Sequence, residues 1–86
     1  MIERQWFFYI VKCRDGSFYS GISLDLEERV REHNNGSGAE YTAMRRPVTL
    51  VYSEKHHDVN AARKREIQVK GWSRAKKELL IKGLLY

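Results

Sequence analysis

Several common signatures are missing from this chain. It has one cysteine, Cys13, in 86 residues, so no internal disulfide can form. No Cys–His group has the spacing of a zinc site. The longest apolar run, Trp6 to Val11, falls far short of the ~20 residues that cross a bilayer. No charged-then-apolar leader with a cleavage site is visible. The expected setting is therefore the cytoplasm, away from any membrane. There is no repeat, low-complexity stretch or linker. The length suits one small domain over residues 1–86, with little margin in its core.

Acidic residues are outnumbered: 11 Asp and Glu stand against 16 Lys and Arg, a net charge of +5. That excess favours an anionic partner, nucleic acid first. A merely basic, well-solvated surface would give the same balance. With 42% hydrophobic and 31% charged residues, the chain reads as folded rather than disordered.

The local patterns give an element order. Gln5 to Lys12 is aromatic and β-branched and reads as a strand, and Ser17 to Ile22 as a second one, with Arg14-Asp15-Gly16 turning between them. The length of that turn decides which side chains share a face. A two-residue turn would send Tyr9 and Tyr19 to opposite faces. A three-residue turn, with Gly16 in the left-handed position, pairs Tyr9 with Gly21 and Val11 with Tyr19. Both tyrosines then lie on one face, and this register is expected. Asp25 with Glu28 reads as a capping box opening a helix near Leu26, with Leu26 and Val30 on its apolar face. Asn34, Asn35 and Gly36 end it. Residues 36–47 read as a loop with one helical turn near Tyr41. Val48 to Ser53 alternates as a third strand. Asp58 caps a helix to about Lys70, Gly71 interrupts it, and Ser73 caps a last helix with Ala75, Leu79 and Leu80 inward. The expected fold is α+β: a small three-stranded antiparallel sheet flanked by helices, in the order β-β-α-β-α-α.

Four groups of residues could carry chemistry. Arg29 and His33 stand four apart on one helix face. Arginine suits a phosphate, being planar, always charged and bidentate. Histidine exchanges protons near neutral pH. An exposed basic face reads the same way. Glu66 falls among Val59, Ala62 and Val69 on an apolar stripe, where an unpaired charge is costly. Either it pairs with a cation, for which Arg29 is the candidate, or it reaches water at the edge of the stripe, or it binds a metal. Tyr9 and Tyr19 would ordinarily pack a core, but a phenol can accept a proton when a neighbouring charge lowers its pKa. Finally Arg63, Lys64, Arg65, Lys70, Arg74, Lys76 and Lys77, with Trp72 among them, either track a phosphate backbone or form a solvated helix face.

Together these pieces resemble the GIY-YIG nuclease superfamily, and in particular its short stand-alone bacterial members. Tyr9 within Phe7-Phe8-Tyr9-Ile10 corresponds to the first motif, and Tyr19-Ser20-Gly21 to the second. Leu26-Glu27-Glu28-Arg29 with Val30 and His33 resembles the helix bearing the catalytic arginine. Ala61-Ala62-Arg63-Lys64-Arg65-Glu66 resembles the helix bearing the metal-binding glutamate. Arg46-Pro47 followed by Leu50-Val51-Tyr52, and Trp72 with Lys76-Lys77, match further features of the short members. The resemblance runs from about Trp6 to Leu80. Phe7-Phe8 replaces Gly-Ile, and Ser20 replaces an apolar residue. The superfamily's last site position is a polar residue, often Asn, and Lys77 stands in for it in this reading.

The resemblance implies metal-assisted hydrolysis of DNA phosphodiesters. Glu66 would hold one Mg²⁺ or Mn²⁺. Tyr9 would take the proton of the attacking water, its pKa lowered by Arg29 and the metal. Arg29 would clamp the phosphate, Tyr19 would position water or a phosphate oxygen, and His33 would orient or relay protons. Arg46, Arg63, Lys70, Arg74, Lys76 and Lys77 would bind the nucleic acid, and Gly16 and Gly21 would shape the hairpin. The chain has no room for a separate DNA-binding domain. Selection would then rest on single-stranded, flapped or branched shape, or on a protein partner for targeting, in repair or recombination. A non-catalytic DNA or RNA binder with the same fold, and a basic module that meets an acidic protein, remain as alternatives.

Overall fold

The computed structural model describes residues 5–86, so the first four positions of the expected 1–86 domain lie outside the described residues. One antiparallel sheet holds three strands in the order β2-β1-β3, with β1 Trp6–Lys12 between β2 Phe18–Ser23 and β3 Thr49–His56. The helices are α1 Leu26–Asn35, α2 Glu40–Ala43, α3 Val59–Lys70 and α4 Arg74–Ile81. The expected order holds, and α2 is the single helical turn around Tyr41.

The hairpin forms around the three-residue turn. Cys13 N–H donates to Ser17 O at 2.8 Å, and Gly16 sits at φ 87°, a backbone region that costs other residues a Cβ clash. The resulting register pairs Tyr9 with Gly21 and Val11 with Tyr19. Alternation along β1 then divides the protein into two layers. Phe8 and Ile10 face Val69 and Leu80, with Trp72 and Tyr52 against them. Tyr9 and Val11 face the other way, with Cys13, Val48, Tyr19, Leu26 and Val30. Helix α1 thus covers one face of the sheet, and α3 and α4 cover the other.

The caps follow the sequence. Asp25, Asp58 and Ser73 each accept a hydrogen bond from the third backbone N–H onward, at Glu28, Ala61 and Lys76. Only half of the capping box at α1 is made. Asp25 accepts from Glu28 N–H, while the Glu28 carboxylate turns outward to Arg31 at 2.9 Å. Strand β3 starts one residue later than expected and runs on to His56. Its pairing with β1 slips between Ile10 and Val11, a bulge that bends the strand.

The inward face of α4 differs from the expectation. Leu80 is fully buried, but Leu79 is 43% exposed and Ala75 is exposed. The helix has only eight residues and presses a single edge on the sheet. Ile81, next to Leu80, and Trp72, before the helix, fill the space instead.

Candidate active site

Tyr9 comes from the central strand, and its side chain is 1% exposed. Its hydroxyl points under α1, where two residues one helical turn apart meet it. Arg29 Nε–H donates to Tyr9 Oη at 3.3 Å, and His33 Nε2 lies 2.9 Å from the same oxygen. His33 is fully buried, and its Nδ1 is 2.8 Å from Thr42 Oγ1. Thr42, also fully buried, donates its hydroxyl hydrogen to Ala39 O at 2.9 Å.

Those bonds assign the protons. Thr42 has spent its only hydrogen on Ala39, so its oxygen accepts from His33 Nδ1–H. The opposite nitrogen, Nε2, therefore carries a lone pair and accepts from Tyr9 O–H. Donors and acceptors thus run in one direction, from Arg29 through Tyr9, His33 and Thr42 to the Ala39 carbonyl.

The charges agree with this assignment. Burial, and after it the Arg29 guanidinium, holds His33 below the ordinary imidazole pKa, so the ring is neutral at neutral pH. Burial also pushes the Tyr9 phenol above its ordinary value, and the bond and charge of Arg29 offset only part of that. Arg29 thus acts on Tyr9 in the expected direction, but desolvation outweighs this single cation. Gly21, opposite Tyr9, makes room for the hydroxyl. A Cβ there would lie 2.5 Å from Tyr9 Oη.

Tyr19 is partly exposed. Its ring meets His33 edge-on with centroids 5.4 Å apart. Glu66 approaches from α3, its side chain 18% exposed, and Lys70 Nζ is 3.1 Å from its carboxylate. The same Nζ stands 5.9 Å from the centre of the Tyr19 ring. The expected Arg29–Glu66 pair is not made. Arg29 instead bonds Tyr9 and reaches Glu32 at 3.4 Å, while Lys70 lies one turn from Glu66 on its own helix and needs no long-range closure.

Among the described residues, no three His, Cys, Asp or Glu side chains form a metal-binding group. A lone carboxylate of this kind does not suit a caged ion such as structural zinc. It does suit Mg²⁺, which keeps several waters and is commonly held by one or two carboxylates plus phosphate oxygens.

The remaining expected DNA contacts fall apart spatially. Arg46 is beside α1 and α2, where its Nε donates to Ala43 O at 2.9 Å. Arg63 and Lys64 are exposed on α3. Arg65 is taken up by Glu54 at 3.0 Å. Arg74 bonds Glu78 and the Gly16 carbonyl, and Lys76 lies over Trp72 at 4.4 Å. Lys77 makes no hydrogen bond or ion pair with Tyr9, Tyr19, Arg29, His33 or Glu66, and it belongs to α4, in the layer opposite α1. The sequence reading missed Thr42, whose partner His33 is nine residues away across a loop, and Tyr41, which stacks on Tyr19. The helical turn expected near Tyr41 was the one signal for either.

Relatives share both the sequence pattern and the fold. The GIY-YIG catalytic domain pattern matches residues 5–79. The UPF0213 protein SSP2268 of Staphylococcus saprophyticus is 53% identical over 75 residues, covering 87% of this chain and 92% of that protein. The solution NMR structure of the UPF0213 protein BH0048 from Bacillus halodurans has 38% identity and a TM-score of 0.59, covering 91% of this chain and 83% of that one. The solution NMR structure of EF2693 from E. faecalis has 38% identity and a TM-score of 0.63, covering 92% and 84%. With its paired tyrosines, the arginine of α1 and the glutamate of α3, the chain belongs to the GIY-YIG family and has a nuclease-type fold.

Proposed function

We propose that the chain works as one domain, in the cytoplasm, as a metal-dependent endonuclease that hydrolyses DNA phosphodiester bonds. The observation that carries this reading is the one-way line of hydrogen bonds through Tyr9 and His33. When water attacks the phosphorus, its O–H bond breaks and the proton passes to Tyr9 Oη. The phenol's own proton moves to His33 Nε2, and the departing nucleotide oxygen takes a proton from solvent. Arg29 stays on Tyr9 Oη and turns its remaining N–H groups to the phosphate. The phosphate's negative charge would offset the Arg29 charge that depresses His33, making the ring a better proton acceptor.

Tyr19 positions the water or a phosphate oxygen. Glu66 would hold Mg²⁺ or Mn²⁺, and the bound ion supplies charge stabilisation at the phosphate and at the departing oxygen. Lys70 neutralises Glu66 in the free protein and is free to turn to a phosphate when Glu66 takes the ion. Lys70, beside the Tyr19 ring, makes the first contacts with DNA, together with Arg46 at the end of α1. Arg63, Lys76 and Lys77 extend the basic surface, whereas Arg74 is tied to Glu78 and the Gly16 carbonyl. With one metal carboxylate, each chain cuts one strand at a time. Branched or single-stranded DNA is the substrate, in repair or recombination, with a protein partner for targeting.

The test is cleavage of single-stranded, duplex, flapped and branched DNA, and of RNA, with Mg²⁺ or Mn²⁺, beside Glu66→Ala. Metal-dependent cutting lost in the variant is the expected result. No cutting by folded protein, with DNA binding unchanged in Glu66→Ala, would overturn it. The Lys70–Glu66 pair favours that second reading, a non-catalytic nucleic-acid binder, since it leaves the carboxylate already neutralised.

A further inference from the structure

Helix α2 and the residues after it bring an aromatic and cationic stack to the surface beside the tyrosines. The Tyr41 ring lies on the Tyr19 ring, centroids 5.8 Å apart and planes 25° apart. The Arg45 guanidinium carbon sits over the Tyr41 ring at 3.8 Å. Arg45 is held there on three sides. Its Nη1 donates to Tyr41 O at 3.0 Å, its Nε is 3.2 Å from the Asp15 carboxylate, and its backbone O accepts from Arg14 N–H at 3.0 Å. From His33 through Tyr19 and Tyr41 to Arg45, each group touches the next.

Beside the outer end of this stack is an open cleft of about 310 Å³, lined by Arg14, Asp15, Met44 and Arg45. Met44 is 83% exposed, so a flexible thioether stands in water at the cleft wall. Asp15 and the Tyr41 carbonyl take two of the five N–H groups of Arg45 and lock the guanidinium flat against the phenol. Its other flat face is what it offers to the cleft. A guanidinium fixed against a phenol, with a polarisable methionine beside it, suits a flat aromatic ring. Exposed Arg14 adds a cation next to it.

We infer that this cleft takes an unpaired nucleobase from the strand whose phosphate lies at Tyr9 and Arg29, so that DNA with a single-stranded nucleotide beside the cut is selected. A base inside a duplex is already stacked on both faces and cannot enter. The inference rests on the nuclease reading and names its substrate class.

The test uses the intact chain in EDTA, so nothing is cut. Single-stranded DNA carries one 2-aminopurine, placed at successive positions along the oligonucleotide, and stacking quenches its fluorescence. Quenching is expected at one or two adjacent positions. Arg45→Lys keeps the charge but loses the plane. It should abolish that quenching and weaken single-strand binding about tenfold, while duplex binding hardly changes. Met44→Ala, at an exposed site that folding does not need, should reduce the quenching. Circular dichroism and melting of both variants check the fold.

If the oligonucleotide binds without quenching at any position, or if Arg45→Lys leaves the quenching intact, the inference falls and the nuclease reading stands. If no DNA binds at all, both fall. Tighter binding and stronger quenching with 2-aminopurine RNA would overturn the choice of DNA.

Discussion

The Thr42 hydroxyl gives its hydrogen to Ala39 O, and that small bond decides how a buried histidine is protonated. With Nδ1–H fixed on Thr42, His33 presents a lone pair to Tyr9 and stays neutral. The pH dependence of stability follows from this. The folded-state pKa of His33 is below its ordinary value, so the unfolded chain binds a proton first as pH falls. Stability is full at neutral pH, declines as pH drops through the ordinary histidine range near ~6.5, and levels off below the depressed pKa. Thermal melting between about pH 7.5 and 5 should therefore show a falling midpoint, and His33→Gln should flatten that part of the curve. A slope unchanged in the variant would assign the acid sensitivity to another group. None of this was legible in the sequence. The spacing of Arg29 and His33 put both on one helix face, but a short polar residue in a loop gives no sign of where it will return.

Helix α3 is held to the sheet by a second polar cluster. On β3, Tyr52, Glu54 and His56 alternate onto one face, where the Glu54 carboxylate accepts from Tyr52 Oη, from His56 Nε2 and from Arg65 Nε of α3. Burial would raise the Glu54 pKa, but these three donors hold it below the usual carboxylate value. Burial, followed by the bond to Glu54, pushes the Tyr52 phenol up to about 12. Arg65 also lies over Trp72 at 5.2 Å, so one side chain joins strand, helix and core. Glu54→Gln should cost about 1–3 kcal/mol of stability, because it weakens three donors' partner at once. Urea unfolding measures that loss. The wild-type contribution belongs to the ionised carboxylate, so the gap between the proteins should close as pH falls through the carboxylate range. An equal midpoint in both proteins at neutral pH would sink the idea. Period-two alternation made β3 readable as a strand. The partner of Glu54 stayed hidden because it depends on how α3 docks. Glu66, by contrast, took the lysine one turn along its own helix rather than Arg29, a local pair that needs no docking. The hairpin was the most legible element, since turn length and one glycine fix its register without any distant contact.

The whole molecule measures 39 × 29 × 18 Å, a slab whose two layers carry different cations. Lys70 of α3 reaches the Tyr19 ring, and Arg46 packs beside Gly36 at the end of α1. Arg74 is on the α4 side, tied to Glu78 and the Gly16 carbonyl. Each phosphate contact contributes about 0.7 to 0.9 to the slope of log affinity against log salt. Lys70→Gln should lower that slope by about one such step. Arg74→Gln should leave it unchanged and lower the melting midpoint instead. Anisotropy of a labelled oligonucleotide between about 50 and 200 mM salt separates the two. Equal slope losses would mean that DNA wraps both layers. Net charge alone pointed to an anionic partner, but it could not say which cations the fold had already engaged.

The odd length of the β1–β2 turn carries a genetic consequence. Losing one codon between Arg14 and Gly16 would spare every tyrosine, arginine and glutamate of the site. The shortened turn would nevertheless slip the strands by one residue, and pairing slipped by one sends alternate side chains to the wrong face. Tyr9 and Tyr19 would part company, with Gly21 no longer opposite the phenol. A homologue with an even turn could keep all the motif letters and still lack the assembled site, so an indel at this hairpin says more about inherited activity than most substitutions elsewhere in the chain.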